Sequence, residues 1–584
     1  MSAALEPGIY GKAARIEKIS DKQYQAVDSY VTTCCGDSPF YKVQARQVDF
    51  FPNDKVIIRN AVLYVRNIPV LFIPYYVQPF VDMERFPVQI VPGKNAKWGP
   101  FVLSKWRYHL VNRPDFQSKG NGLLDYREKR GFGAGVENFY KSDKFGRGAA
   151  RVYAIEDRDA PIDVDSSRYR VQWRHQAKLG EATTLNTEIN KLSDTSVVKD
   201  FFFREEYARD AFPDNYVSLI TAKPEYTFSI LERHRLDELF PLVERNPEIR
   251  FDTHNHSFAE TPFYFRQEIQ FSNLRKVPAG ADEGLDATRF DTNHTLSYAG
   301  RVGDISMTPH IGTRQTFYSR DAGSDRNFVR GIADSGVDLS TRFYKTYDVT
   351  IHSFGLDYNQ IRHIFEPTVS YNYRPDPTVL RTKLQPFDAL DEIDKQNIIH
   401  YNFENKFQTK EHAADGSLLT REIARIIPFF DSDLHTGRLK NVGMRMELRP
   451  YAWLGIEGYS SLDAESRHVD TANLDFYLDK GPARLAIGQR YVRDESSQLT
   501  AEIRWKLAQD LDVKFYERFE FETNDSKEFE VTLSKAFDCI IVDFTYNHRQ
   551  GDTFFFVFRL KSFPKASFGM TQSYNRPKAS SQRL

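Results

Sequence analysis

Two-residue alternation of apolar and polar side chains runs through most of this chain. In RYRVQWRHQAKLG, which begins at Arg168, Tyr169, Val171 and Trp173 fall on one side, and Arg168, Arg170, Gln172, Arg174 and Gln176 on the other. In QLTAEIRWKLAQD, Leu499, Ala501, Ile503, Trp505 and Leu507 alternate with Thr500, Glu502, Arg504 and Lys506. Near the end, Phe554, Phe556, Phe558 and Leu560 share a face. Successive side chains of a strand point to opposite faces, so each segment predicts a strand with one apolar and one polar face. Such segments recur from about Lys97 to Tyr574, separated by polar stretches such as NRPD (112–115), DRDAP (157–161) and NHRQGD (547–552). FDALDEIDKQ (387–396) has room for a short helix, and no long amphipathic helix stands out. The fold class is all-β, with strands of roughly 9–12 residues, the length a tilted strand needs to cross a bilayer.

Alternation alone fits a soluble β-sandwich, with its apolar face in a core, as well as a membrane barrel, with that face in lipid. Three features favour the barrel. The polar faces carry full charges in succession, the apolar faces carry aromatics towards their ends, and one period runs from about Lys97 to Tyr574 without a break in composition, more than soluble domains usually build on one core. At about 19 residues per strand and turn, the region supplies roughly 24–26 antiparallel strands.

The first eighty residues differ. In YKVQARQVDFFPNDKVIIRNAVLYVRNIPVLFIPYY, apolar residues occupy both faces, Val62 and Tyr64 on one, Leu63 and Val65 on the other. Strands covered on both sides read this way. FPND (51–54) is a turn, and Pro69, Pro74 and Pro79 interrupt the pattern before the barrel begins. The boundary falls near 80–97, which divides the chain into a β-roll (1–85) and a barrel (86–584).

Composition adds limits. Formal net charge is -1 and the pI about 6.9, so no basic face for nucleic acid is implied. Aromatics are 14% and charged residues 27%, interleaved along the strands. No apolar run is long enough for a transmembrane helix. The N-terminus, MSAALEPGIYGKAARIEK, lacks the apolar core of a secretory signal, which taken alone points to the cytoplasm.

YVTTCCGDSPFYKVQARQVDFFPND and AVLYVRNIPVLFIPYYVQP resemble the end of the periplasmic β-roll of the LptD (OstA/Imp) family of lipopolysaccharide-assembly outer-membrane proteins. ERFPVQIVPG (84–93) is similar to the family's entry into the first barrel strand, and LSDTSVVKDF (192–201) to its Ser-Asp…Asp-Phe segment. VERNPEIRF (243–251), TPFYFRQEIQFSNLRK (261–276), MTPHIGTRQTFYS (307–319), HIFEPTVSYNY (363–373) and LSKAFDCIIVDFTYNHRQGDTFFFVFRLKSF (533–563) follow in the family's order. The resemblance implies a large antiparallel transmembrane β-barrel preceded by part of a periplasmic β-jellyroll or β-roll. It implies an outer-membrane location with the N-terminal region in the periplasm, and lipopolysaccharide as cargo. Its partners are an LptE-like plug lipoprotein and a periplasmic LptA-like bridge, with no enzymatic role and no cofactor. The family has a signal peptide and a longer roll, so this chain reads as a truncated member. The family often has adjacent cysteines near the C-terminus, whereas here Asp538 precedes Cys539.

Cys34, Cys35 and Cys539 are the chain's three cysteines. Neighbours in a strand point apart and pair with each other only under strain. Ile540, Val542, Phe544 and Tyr546 form an apolar face, which puts Cys539 on the lumen side with Asp543, Thr545 and Asn547. The residues alone leave open whether these thiols are unrelated; the resemblance implies a disulfide from Cys539 to Cys34 or Cys35. It also implies a lateral gate between first and last strands, expected near Trp98–Leu110 and Ala566–Tyr574, with Pro92, Pro100 and Gly569 weakening the seam. Val43, Val62, Leu63, Tyr64, Val65 and Phe72 are candidates for an apolar slide for acyl chains.

Enzyme-like patterns are weak. DTHNH (252–256) puts His254 and His256 at strand spacing, without a third ligand at a telling distance. GFGAGVE (131–137) is better explained as small residues in a barrel strand than as a phosphate loop. The competing functions are a passive porin or nutrient-receptor barrel, against which the roll argues, and a soluble β-rich carbohydrate-binding protein or hydrolase.

Overall fold

The computed structural model describes residues 2–6, 9–34, 39–52, 54–79, 88–202, 213–258, 260–281, 283–323, 326–413, 415–549 and 551–561. Six strands form the first sheet: β1 (Ser2–Glu6), β2 (Ile9–Ser20), β3 (Gln23–Thr32), β4 (Tyr41–Phe51), β5 (Lys55–Val65) and β6 (Ile68–Pro79). They pair antiparallel in chain order. The sheet bends along one row. Asp28 (φ 46°) and Asn60 (φ 49°) lie in left-handed conformations that short polar side chains tolerate. The flanking row Ser29, Ala45 and Ala61 is small and buried.

The second sheet is a closed antiparallel barrel that starts at β7 (Val88–Asn95). It continues through β8 (Gly99–Asn112), β9 (Phe116–Arg127), β10 (Gly131–Ser142), β11 (Gly146–Glu156) and β12 (Ser167–Lys178) to a last described strand, Asp552–Leu560. Three short pieces, His256–Ser257, Gly300–Val302 and Phe343–Ile351, prolong the strands before them. Counting each interrupted strand once gives 26 strands, as the spacing predicts.

Burial inverts the order of a soluble core. Phe554, Phe556 and Phe558 are exposed while Phe555 and Val557 are buried; Ile503 and Trp505 are exposed while Glu502 is buried. Arg127, Arg168, Arg289, Arg330, Glu244, Glu528 and Glu530 are fully buried. Apolar side chains outside and charged ones inside are what a barrel in lipid around a polar lumen requires. No described helix is long and apolar enough to cross a membrane.

The helix expected over 387–396 is absent, and these residues form turns instead. Asp391 accepts the backbone N–H groups of Phe387 (2.8 Å) and Asp388 (3.1 Å), and Asp388 accepts that of Leu390 (3.1 Å). Aspartate side chains that bond nearby backbone in this way compete with helix formation.

Candidate functional site

Roll and barrel are joined by a disulfide between Cys34 and Cys539, 505 residues apart, with Cα atoms 4.9 Å apart. Both sulfurs are buried with Tyr41 and Ile540, against Phe40, Leu63 and Val542. Cys34 lies just beyond the end of β3, so strand parity does not aim it. Its threonine neighbours position it: Thr32 Oγ1 donates to the Tyr41 carbonyl (2.6 Å) and accepts the Cys34 N–H (3.1 Å), while Thr33 and Tyr41 share a hydroxyl bond of 2.6 Å. Burial pushes the Tyr41 hydroxyl up, although its bond to Thr33 opposes the shift. Cys539 sits in the turn between strands Asp525–Ala536 and Ile540–His548, which places that turn, and hence all turns at the same end, on the roll side. Cys35 lies outside the described residues.

The barrel closes where Asp552–Leu560 meets β7, one hairpin earlier than the expected first strand at 98–110. The pairing runs Thr553↔Asn95, Phe554↔Lys94, Phe555↔Gly93. At the end away from the roll it is pinned by Asn95 Nδ2 donating to Thr553 Oγ1 (2.5 Å) and by Ala96 N–H donating to the Asp552 carbonyl (3.1 Å). That last bond fixes the parity: even-numbered residues of β7 direct their backbone groups at the last strand. Pro92 is the next such position beyond Lys94, and it has no N–H to give. The described ladder ends there. Pro100 is different. Its carbonyl accepts the Glu128 N–H (2.9 Å), so its missing donor faces β9 and not the seam. Gly569 and the expected last strand at 566–574 lie outside the described residues. On the lumen side the seam is apolar, with Val91, Phe101, Leu103, Phe555 and Val557 in one buried cluster.

Two loops at the end away from the roll fold into the lumen, each held by a fully buried arginine. In the first, LSDTSVVKDF carries a short helix, Val197–Phe201. Arg168 donates twice to Asp194 (3.0 and 2.8 Å), and to Asp157 (2.8 Å), Asp200 (2.9 Å) and Ser196 (2.8 Å). Phe201 lies beneath the Arg127 and Arg168 guanidinium groups. Burial raises the Asp194 carboxyl, but bonds from Arg168, Ser196 and Ser193 outweigh it and bring it down to about 2. In the second loop, Arg289 grips Asp388 with both Nη atoms (2.8 and 2.7 Å) and Asp391 with one (2.9 Å). Tyr318 donates to Asp391 (2.7 Å), and Arg330 donates to the Val379 (3.0 Å), Asp391 (3.3 Å) and Ile393 carbonyls. The sequence reading missed these clamps; the spacing of Asp388, Asp391 and Asp394 before a strand was the available signal.

The slide candidates do not share a face. Val43 pairs with Leu63, and Val65 lies on their side; Val62 pairs with the exposed Phe72, and Tyr64 lies with them. His254 and His256 flank a break between strand pieces, and His254 Nδ1 bonds the Pro224 carbonyl (2.7 Å). Among the described residues no group of His, Cys, Asp and Glu suits a metal ion. Gly133 and Gly135 leave room for the Tyr153 ring to lie against the lumen wall, which explains GFGAGVE as packing.

A family model described as LptD, LPS transport system D, matches residues 166–434. An "LPS-assembly protein LptD" of Actinobacillus pleuropneumoniae is 25% identical over 59% of this chain and 44% of its own length. One of Vibrio cholerae is 19% identical over 93% of this chain and 74% of its own. The chain thus spans about half the length of the curated relatives that head the comparison. Among solved structures, the siderophore receptor PirA of Pseudomonas aeruginosa aligns over 81% of this chain and 79% of its own, at 7% identity and a TM-score of 0.27, which carries no argument.

Proposed function

We propose that the chain is a member of the LptD family and that this outer-membrane barrel is a translocon. It receives lipopolysaccharide from the periplasmic side and releases it sideways into the outer leaflet. The observation that carries the reading is the match to the LPS transport system D over 166–434. The seam supports its lateral-gate part. Among the described residues its ladder is short and stops at a proline, and its lumen side is apolar, so separating the two strands breaks few directional bonds there.

In this reading Val43, Leu63 and Val65 give acyl chains an apolar track on the roll, with Val62, Tyr64 and Phe72 serving its other face. The disulfide keeps that track beside the barrel mouth. Periplasmic partners of LptA type join by strand addition at an open sheet edge. An LptE-like lipoprotein fills lumen space. Transport needs no chemistry from the barrel, and energy comes from elsewhere. A passive porin or nutrient receptor has less support, because two clamped loops occupy the lumen and a roll precedes it.

The test stitches the seam. Ile90→Cys with Phe558→Cys continues the observed register past Pro92. Oxidation is expected to stop delivery of lipopolysaccharide to the cell surface while heat-modifiable mobility stays intact. The control, Val369→Cys with Tyr401→Cys, joins partners inside a continuous ladder and is expected to change nothing. Delivery that continues through an oxidised seam would rule out the gate.

A further inference from the structure

We propose that a pit in the lumen wall, beside the second clamped loop, binds one uncharged sugar ring of the cargo's saccharide portion. The inference rests on the translocon reading and assigns one subsite within it.

Five neighbouring strands build the pit: Leu285–Tyr298, Ile305–Tyr318, Phe328–Ser340, Tyr358–Arg374 and Gln396–His412. Their register sets Thr295, Gly312, Asp334, Arg374 and Gln396 side by side on one rung. His310, Gly336 and Asn372 form the next rung towards the roll. Both rungs share the parity of the fully buried Thr316 and Arg330, so their side chains face the lumen.

Two glycines make the hollow. A Cβ at Gly312 would meet nothing nearer than 3.4 Å, so its place on the wall is open. At Gly336 a Cβ would come within 2.6 Å of the His310 ring, and glycine lets that ring lie across the neighbouring strand. The cavity is about 270 Å³, smaller than the clefts that hold drug-sized ligands and suited to a single sugar ring.

The bonding groups around it are neutral and unengaged. Among the described residues, the side chains of Thr295, His310, Asn372 and Gln396 have no hydrogen-bond partner. The amides of Asn372 and Gln396 each donate and accept, as does the Thr295 hydroxyl. A pyranose carries hydroxyls around its edge that do the same, so it matches these groups without needing a charge. Asp334 adds a fixed acceptor. Arg374 Nε donates to its Oδ1 (2.6 Å), Arg374 also donates to the Asp394 carbonyl (3.3 Å), and Oδ2 is left for a sugar hydroxyl. An anionic group would meet this carboxylate and find Arg374 already engaged. Nearer the roll the same wall carries closed ion pairs such as Lys406 with Glu366 (2.7 Å), which a sugar must break to bind. In the pit it displaces water alone, so its bonds are gained without loss to the wall.

The test uses the full chain with its partner lipoprotein in detergent. Two probes come from the lipopolysaccharide of the organism that makes the chain. One is its saccharide, freed of lipid and phosphate and labelled at the reducing end; the other is its deacylated diglucosamine bisphosphate. The native protein is expected to bind the saccharide at least as tightly as the bisphosphate. Saccharide affinity is expected to change less than about twofold between about 0.1 M and 1 M salt, because the bonding groups are neutral. Gly312→Leu fills the pit without removing a bonding group and is expected to weaken saccharide binding about tenfold or more, as the loss of two or so hydrogen bonds would. The pair Asn372→Ala with Gln396→Ala is expected to do the same, while Gly312→Ala, whose Cβ has room, stays within about twofold of native. Heat-modifiable mobility checks that each variant is folded. Native-strength saccharide binding by Gly312→Leu, tighter binding of the bisphosphate that collapses in salt, or no saccharide binding by the native protein overturns the proposal. Delivery of lipopolysaccharide to the surface of cells depleted of their own barrel is measured beside it. A native chain that also fails to deliver overturns the translocon reading as well.

Discussion

The seam and the wall about half-way round the barrel are made of the same alternating strands, joined in different ways. In that wall, Tyr358–Arg374 and Gln396–His412 pair from Asn359↔Lys410 to Arg374↔Gln396. Lysine and arginine on its inner side meet carboxylates, Lys406 with Glu366 at 2.7 Å and Arg425 with Glu404 at 2.5 Å. Just before it, Arg289 and Arg330 clamp the loop that enters the lumen. At the seam, the described backbone pairing spans Gly93–Asn95, Asn95 bonds Thr553, and apolar side chains cluster on the lumen side. Apolar contact is non-directional and reforms after sliding; a fixed-geometry ion pair does not. Among the described residues, directional bonds are thus sparse along this one line and dense in the opposite wall.

The strongest way to break that contrast is to soften the rigid side. Arg289→Ala strands Asp388 and Asp391 in a buried site, a loss of about 3–5 kcal/mol by comparison with other broken buried pairs. The loop at 375–395 is expected to become protease-sensitive, and the heat-modifiable transition to fall. A loop as resistant as before would show that the clamp is not what holds it.

Next comes the seam itself. A Cβ at residue 93 would sit 2.6 Å from the Phe554 carbonyl and press into the Phe101 ring. That carbonyl belongs to the short ladder, so it cannot swing away and stay paired. Gly93→Ala is expected to weaken the seam by about 1–3 kcal/mol, the usual cost of overpacking, with faster hydrogen exchange at Phe554. Unchanged exchange there would mean the closing strand is held by something other than this pairing.

The degree to which sequence revealed each region follows from the physics. Parity is a local property, so Phe554, Phe556 and Phe558 against Phe555 and Val557 were legible without coordinates. So was the pairing of Cys539 with the roll, once the resemblance narrowed it to two thiols. The clamps were not legible, because Arg168 and Asp194, or Arg289 and Asp388, come together only after the barrel closes and a loop turns inwards. In sequence each looks like a solvated charge. The first strand was expected ten residues late, since Pro92 read as an entry to a strand and not as a position within one. His254 and His256 share a spacing but not a strand, because the chain breaks between them.

A smaller change sharpens the seam instead of breaking it. Pro92→Ala supplies an N–H aimed at Phe556 and extends the ladder by one bond, about 0.5–1.5 kcal/mol. Slower exchange at Phe556 and slower cargo release are expected together. Pro100→Ala offers its new donor to β9 and is expected to leave both rates alone, which separates the role of the seam from that of prolines in general.

Acid provides the mildest comparison, since it reaches the clamps and spares the seam. The Asp194 carboxyl is held down to about 2, and that of Asp388 is also lowered: burial opposes the shift, and Arg289 and Arg245 outweigh it. A carboxylate whose pKa is depressed by folding stabilises the folded form above its unfolded value, near 3.9, and loses that contribution as pH falls through its folded value. Protease resistance of both loops is therefore expected to be flat from pH 8 to about 5 and to decline below about 4, with the Asp194 loop giving way only as pH approaches 2. The seam carries no carboxylate between Gly93 and Asn95 or in the cluster at its lumen side, so exchange at Phe554, corrected for its intrinsic pH dependence, is expected to stay level across the same range. Loops that loosen near neutral pH would mean the aspartates are not the groups that fasten them.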